Sequence, residues 1–203
     1  MNVLRIPTEA KPPRMEPLAR LPVFFALTGK RVVLAGGTAS AAWKAELLSA
    51  AGAQVDVFAY DVSDELLALA SDPPGGAVVL HMRAWNDDDL VGAALVIGAL
   101  TTDDEASRFA AAAHAAGVPV NVIDKPAFCD FSFGSIVNRS PLVIGISTDG
   151  AAPVFAQAIR AKLEAMIPRG FARWADAARR WRSAVQASAR SHWSAPAPAI
   201  RNC

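Results

Sequence analysis

The chain has little of what builds metal centres and disulfide frameworks: 2 cysteines and 3 histidines in 203 residues. Cys129 and Cys203 cannot make a metal site by themselves, and so sparse a usage fits a reducing cytoplasm. His81, His114 and His192 are far apart and show no ligand spacing, so no metal ligand is assigned. Cys129 has no histidine partner in sequence, which argues against a nucleophile. An excess of one charge is also missing: 20 Lys and Arg face 19 Asp and Glu, for a net charge of +1. Nucleic-acid binding, which needs a basic stripe, is therefore not expected. No apolar run approaches the roughly 18 residues of a membrane span. Residues 1–20 carry scattered prolines and charges and lack the apolar stretch of a secretory signal. What is abundant is apolar character, 53% of the chain, much of it alanine. That supports one sizeable core plus an extension, rich in helix.

Strand and helix signals alternate. Residues 32–35 read as a buried strand, 39–51 as an alanine-rich helix ended by Gly52, and 53–59 as a second strand, a βαβ unit of ordinary length. The pattern continues with a helix over 61–69, a strand over 78–82, a short helix over 87–90 and a strand over 94–99. A helix over 105–116 and a strand over 118–123 come next. This order predicts an α/β fold, a Rossmann-type doubly wound parallel sheet. Beyond it, a strand over 142–148 and a helix over 153–166 form a small α/β segment. A C-terminal helix over 171–189 sets Phe171, Trp174, Ala178 and Trp181 at helical spacing, as packing residues. The expected organisation is a flexible lead-in (1–20), a nucleotide-binding domain (21–133), a small α/β segment (134–166), a helical segment (167–193) and a loose tail (194–203).

Two places carry chemistry. Gly36-Gly37-Thr38-Ala39-Ser40-Ala41 follows a strand and opens a helix, the context of a dinucleotide-binding turn, in which a pyrophosphate rests on free helix N–H groups. In the G-x-G-x-x-[GA] frame Thr38 replaces the middle glycine, and no acid ends the second strand, where Phe58-Ala59-Tyr60 stands. Asp61 comes slightly late but within reach of a ribose. A nucleotide site and a plain strand-to-helix turn are both open readings. On the same sheet edge Thr101-Thr102-Asp103-Asp104 reads as a helix N-cap with acids in the first turn, and residues 99–101 would flank a nicotinamide. The second place is Asp124, delivered at the carboxyl end of a strand, where open α/β sheets bind ligands. It reads either as an acid–base group or as a turn former before Pro126.

Taken together, these residues resemble the N-terminal half of siroheme synthase, the precorrin-2 dehydrogenase/sirohydrochlorin ferrochelatase family. Four features carry the likeness over about residues 21 to 185. They are Leu21-Pro22-Val23-Phe24; Gly36-Gly37 followed by Lys44; Asn121-Val122-Ile123-Asp124 with Cys129-Asp130-Phe131; and Arg139-Ser140-Pro141-Leu142 leading to Ser147-Thr148-Asp149-Gly150 and Pro153. The resemblance implies an enzyme that oxidises precorrin-2 to sirohydrochlorin with NAD⁺ and inserts ferrous iron to give sirohaem, with Asp124 linked to both activities. NAD would bind at Gly36, Gly37, Thr38, Ala39, Ser40, Tyr60, Asp61 and Thr101. Lys125, Arg139 and Arg160 would face the carboxylates of the macrocycle, because guanidinium and ammonium groups pair them; structural ion pairs are the other reading of these three. Thr148 matches a serine that is phosphorylated in some members. The resemblance also implies a homodimer built by exchange of the segment after Asp124, with residues 134–166 as the dimerisation segment. Thr38 and Trp43 depart from the family's third glycine and its arginine. Because the sequence stops at Cys203, the methyltransferase activity of longer members is expected to be absent. A non-catalytic dimer that binds tetrapyrrole or metal and has a degenerate NAD site is the rival reading. A nucleotide sensor that regulates a partner is a third.

Overall fold

The computed structural model describes residues 16–150, 152–168, 170–171, 173–178 and 180–182. They fall into two units, one over 23–133 and one made of residues up to Pro22 and from Gly134 onward. Most of the expected lead-in, the expected tail and the second half of the 171–189 helix lie outside the described residues.

The 23–133 unit is a parallel five-stranded sheet in the order β3-β2-β1-β4-β5. Its strands are β1 (Arg31–Ala35), β2 (Gln54–Phe58), β3 (Ala77–His81), β4 (Val96–Gly98) and β5 (Val120–Val122). Continuous apolar runs such as Val32-Val33-Leu34-Ala35, all fully buried, suit strands covered on both faces. Period-two alternation splits their side chains. Val32, Leu34, Val55 and Val57 pack with Ala41, Ala45 and Leu48 of α1 (Ala39–Ala50) and Leu66 of α2 (Asp64–Ser71). Val33, Ala35 and Phe58 pack on the other face with Leu90 of α3 (Asp87–Leu90) and Phe109 of α4 (Asp103–Ala115). Helices on both faces make the sheet doubly wound, as its sequence pattern predicts. The chain reverses direction across the sheet between β1 and β4, and the crevice at that switch point is where such sheets bind ligands.

Several boundaries differ from the sequence reading for local reasons. α2 starts at Asp64 instead of 61, because the Ser63 hydroxyl accepts the Leu66 N–H at 3.4 Å and so caps the helix. α4 starts at Asp103 instead of 105, because Thr102 and Glu105 close a capping box.

The other unit holds an antiparallel pair, β6 (Ser135–Arg139) and β7 (Leu142–Ile146), and α5 (Pro153–Met166). β6 has no counterpart in the sequence reading: only Ile136 and Val137 are apolar, too short a run to register as a strand. Helical backbone resumes at 171, 173–178 and 180–182. The rings of Trp174 and Trp181, expected to pack, stand 79% and 72% exposed. Helical spacing marks a face without supplying the surface that covers it. Among the described residues no helix is long and apolar enough to cross a membrane.

Candidate functional site

The carboxyl edge of the sheet forms a pocket of about 290 Å³ at the switch point, lined by Thr38, Ser40, Ala99, Leu100, Thr101, Ile123, Asp124 and Lys125. The first wall is the turn after β1. Gly36 sits at φ 106°, and a Cβ there would fall 2.4 Å from the Ala99 carbonyl oxygen of the neighbouring strand's end. Only glycine fits this turn without strain. Gly37 is equally constrained, but by the protein: its Cβ would lie 2.0 Å from the Asp61 carbonyl. Thr38 has φ −72°, a conformation any residue adopts, so the missing middle glycine costs the backbone nothing. Its hydroxyl turns back along the helix, accepting the Ala41 N–H at 3.3 Å and lying 2.9 Å from the Ser40 hydroxyl.

The N-terminus of α1 suits an anion. The Thr38 side chain and carbonyl receive the N–H groups of Ala41 and Ala42. The N–H groups of Ala39 and Ser40, in the first turn, have no intrahelical acceptor. Thr38, Ala39 and Ser40 are exposed, and the first turn has no acidic residue. Open N–H groups, two hydroxyls and the helix dipole together can hold a phosphate. Tyr60 and Asp61 follow β2 on the same edge, both exposed, and do not line the pocket.

The second wall is the loop after β5. Asp124 is exposed and held at φ 59°, the left-handed region, which non-glycine residues other than Asn and Asp rarely occupy. The loop folds back on its own strand to hold that corner. The Cys129 sulfur accepts the Val122 N–H at 3.2 Å and lies 3.2 Å from the Val122 carbonyl oxygen. Asp130 accepts the Val120 N–H at 3.0 Å and is 3.1 Å from His114 Nε2. Asn121, buried in β5, donates to the Phe131 carbonyl at 2.8 Å. The cysteine, aspartate and asparagine of this motif therefore build the loop, and Asp124 is the residue they present.

The remaining expected site residues divide. Thr101 and Lys125 join Asp124 in the pocket, and the Lys125 ammonium is ion-paired with Asp103 at the start of α4. Arg139, Arg160 and Thr148 belong to the other unit. Arg139 donates to the carbonyls of Ile167 (2.9 Å) and Glu164 (3.1 Å) at the end of α5. Arg160 pairs with Glu164 one turn on, at 3.1 Å. Thr148 is half-buried beside Asp149, whose carboxylate pairs with Arg20.

One group has no role in the sequence reading beyond its place in the glycine-turn motif. Lys44 lies on the buried face of α1, three residues after Ala41 and four before Leu48, and is only 9% exposed. Its ammonium sits 4.5 Å from the Trp43 ring and 3.9 Å from the Phe133 ring. Burial draws its pKa down from 10.5 to about 8, against the opposing pull of the Asp124 and Cys129 charges. The signal was legible: a charge inside an otherwise apolar helical stripe.

A doubly wound sheet with an anion-ready helix at its switch point defines a class. Residues 23–135 match the family described as "Putative NAD(P)-binding", and the chain belongs to that family. The family's cofactor class is NAD(P), and the open first turn of α1 is chemically suited to a dinucleotide's phosphates. Residues 139–166 match the family described as "Sirohaem biosynthesis protein central". The relatives are siroheme synthases. That of Ectopseudomonas mendocina (strain ymp) is 45% identical over 168 residues, covering 82% of this chain and 35% of the relative. That of Pseudomonas putida (strain F1) is 48% identical with the same coverage. The chain thus spans about a third of the length of these relatives. Among solved structures, SirC, precorrin-2 dehydrogenase, superposes with a TM-score of 0.59 at 20% identity, over 77% of this chain and 76% of that one. At that identity the likeness shows a shared fold.

Proposed function

We propose that this protein dehydrogenates precorrin-2 to sirohydrochlorin with NAD⁺. The observation that carries the reading is the pocket in which the α1 turn and Asp124 share one lining. A nucleotide on the first wall and a carboxylate on the second would then face one substrate. The names of the relatives, siroheme synthase and precorrin-2 dehydrogenase, supply the substrate class.

Bound NAD⁺ supplies the hydride acceptor. The chain's own residues do the rest. The N–H groups of Ala39 and Ser40 and the hydroxyls of Thr38 and Ser40 hold phosphate, with Gly36 and Gly37 shaping the turn. Thr101 borders the reactive end, and Tyr60 and Asp61 border the ribose end. Oxidation removes a hydride and a proton from the macrocycle. The Asp124 carboxylate, exposed at its corner, takes the proton. Lys125 meets a substrate carboxylate by exchanging it for that of Asp103. Arg139 and Arg160 offer further cations, and Thr148 is the proposed phosphorylation site. Ferrous iron is the proposed second substrate: it displaces two protons from the pyrrole nitrogens of sirohydrochlorin, again with Asp124 as acceptor. The proposed assembly is a homodimer in the cytoplasm.

The test is anaerobic. Precorrin-2 is generated in situ with and without NAD⁺, and sirohydrochlorin is followed by absorbance. The wild-type chain should give NAD⁺-dependent product, and Asp124→Ala should bind precorrin-2 while losing about a hundredfold or more in turnover. Unchanged turnover in that variant would remove Asp124 from the mechanism. Bound precorrin-2 with no product would leave the chain a tetrapyrrole binder. Ferrous iron added to preformed sirohydrochlorin tests the second step by itself.

A further inference from the structure

Lys44 is a cation on the buried face of a helix, and no carboxylate or other acceptor among the described residues bonds its ammonium. Drawing an ammonium into a largely covered site without a hydrogen-bonded counter-charge is unfavourable. β1, β2 and α2 present Val32, Leu34, Val55, Val57 and Leu66 to this side of the sheet. The charges that act on Lys44 come from the loop after β5, from Asp124 and Cys129. The same loop supplies the ring on the ammonium. Phe133 lies 3.9 Å from Nζ and edge-on to Phe131 at 5.5 Å, and the Phe131 carbonyl is held by Asn121 of β5. The loop is therefore fastened twice, to its own strand by Cys129, Asp130 and Asn121, and to α1 by Lys44.

We infer that Lys44 is a positioning residue for Asp124: its charge clamps the returning 124–133 loop against the nucleotide helix and so fixes the place of the Asp124 carboxylate in the pocket. This rests on the assignment of Asp124 as the acid–base group. A cation over an aromatic ring in a partly desolvated site attracts it more strongly than an apolar group of the same size does. The contact also joins the two walls, since α1 bears the nucleotide turn at one end and the loop's anchor about a turn and a half on.

The experiment compares the wild type, Lys44→Met, which keeps volume and removes charge, and Lys44→Arg, which keeps charge at every accessible pH. Amide hydrogen exchange over 124–133 is measured on the free protein, and kcat and KM for NAD⁺ are measured with precorrin-2. In Lys44→Met the loop amides should exchange about tenfold faster while the sheet is unchanged. Its kcat should fall about tenfold with KM for NAD⁺ within twofold, because a small misplacement of a reacting group is expensive. Lys44→Arg should restore both. The wild-type kcat should decline as pH rises through about 8, where Lys44 gives up its proton, and Lys44→Arg should lose that limb. A packing role alone would survive in Lys44→Met. An unchanged loop in that variant, or a loosened loop with undiminished kcat, overturns the inference. If the wild type shows no turnover, the dehydrogenase reading fails, and the exchange of the free protein still decides the role of Lys44.

Discussion

Thr38 and Thr102 hold equivalent places. Each follows a strand, β1 or β4, and these strands are neighbours; each accepts an N–H of the helix it caps. The helices they open are nonetheless opposite in character. α4 has Asp103, Asp104 and Glu105 in its first turn. The Thr102 N–H and hydroxyl bond to the Glu105 carboxylate, which the N–H above all holds below the ordinary glutamate pKa. α2 and α3 are likewise supplied with acids. Among the four α-helices that follow strands of this sheet, α1 alone begins without an acid, with Ala39, Ser40 and Ala41. A helix N-terminus carries about half a positive charge, and an internal carboxylate neutralises it. Three helices complete themselves, and the fourth keeps a first turn chemically suited to an anion from outside. The difference between the structural cap of α4 and the proposed binding site at α1 therefore lies in the first-turn residues that the threonine introduces.

The largest break in that contrast comes from giving α1 the acid its neighbours have. Ser40→Asp should stabilise the helix by about half a kcal/mol through the dipole and weaken NAD⁺ by at least about tenfold, because carboxylate and phosphate would compete for the same N–H groups. Calorimetric titration with NAD⁺ alongside a thermal melt reads both signs. Retained affinity with the raised melting point would put the pyrophosphate elsewhere.

The converse change at α4 should be smaller and confined to stability. Thr102→Ala breaks the capping box and should cost about 1 kcal/mol in urea denaturation. NAD⁺ affinity should stay within about twofold, since Thr102 holds only the protein's own Glu105. A loss of affinity larger than the loss of stability would mean that this cap shapes the pocket.

The sheet was legible in sequence because its strands are continuous apolar runs and its turns are marked by glycine. Gly36, Gly52 and Gly117 all have positive φ. Asp124 was legible because a strand delivers it to the sheet's carboxyl edge. Two kinds of feature were not. β6 gains its strand character from pairing with β7, and cross-strand partners leave no mark in a five-residue window. The role of Arg139 is of the same kind: its guanidinium reaches carbonyls 25 and 28 residues away, a distance along the chain that no spacing rule covers. Lys44 is the intermediate case. Its place in an apolar stripe was visible, but the ring that covers it arrives from Phe133, 89 positions later in the sequence.

Thr38 itself gives the finest test. In a glycine-rich turn the middle residue is small so that a pyrophosphate can approach the backbone, and a threonine there suggests obstruction. The geometry argues otherwise. With φ at −72° the residue needs no glycine, and its hydroxyl is directed at Ala41 and Ser40 within its own first turn. Thr38→Gly should therefore cost only a few tenths of a kcal/mol in stability, the usual penalty for a glycine cap. NAD⁺ affinity should weaken by no more than about threefold, the share of one of the two hydroxyls, because the open N–H groups of Ala39 and Ser40, to which the phosphate is mainly assigned, are untouched. Titration of the variant with NAD⁺ decides the matter. Tightening by tenfold or more would show that the threonine side chain stands in the cofactor's path, and the contrast between the two caps would then rest on Thr38 as well as on the missing acids.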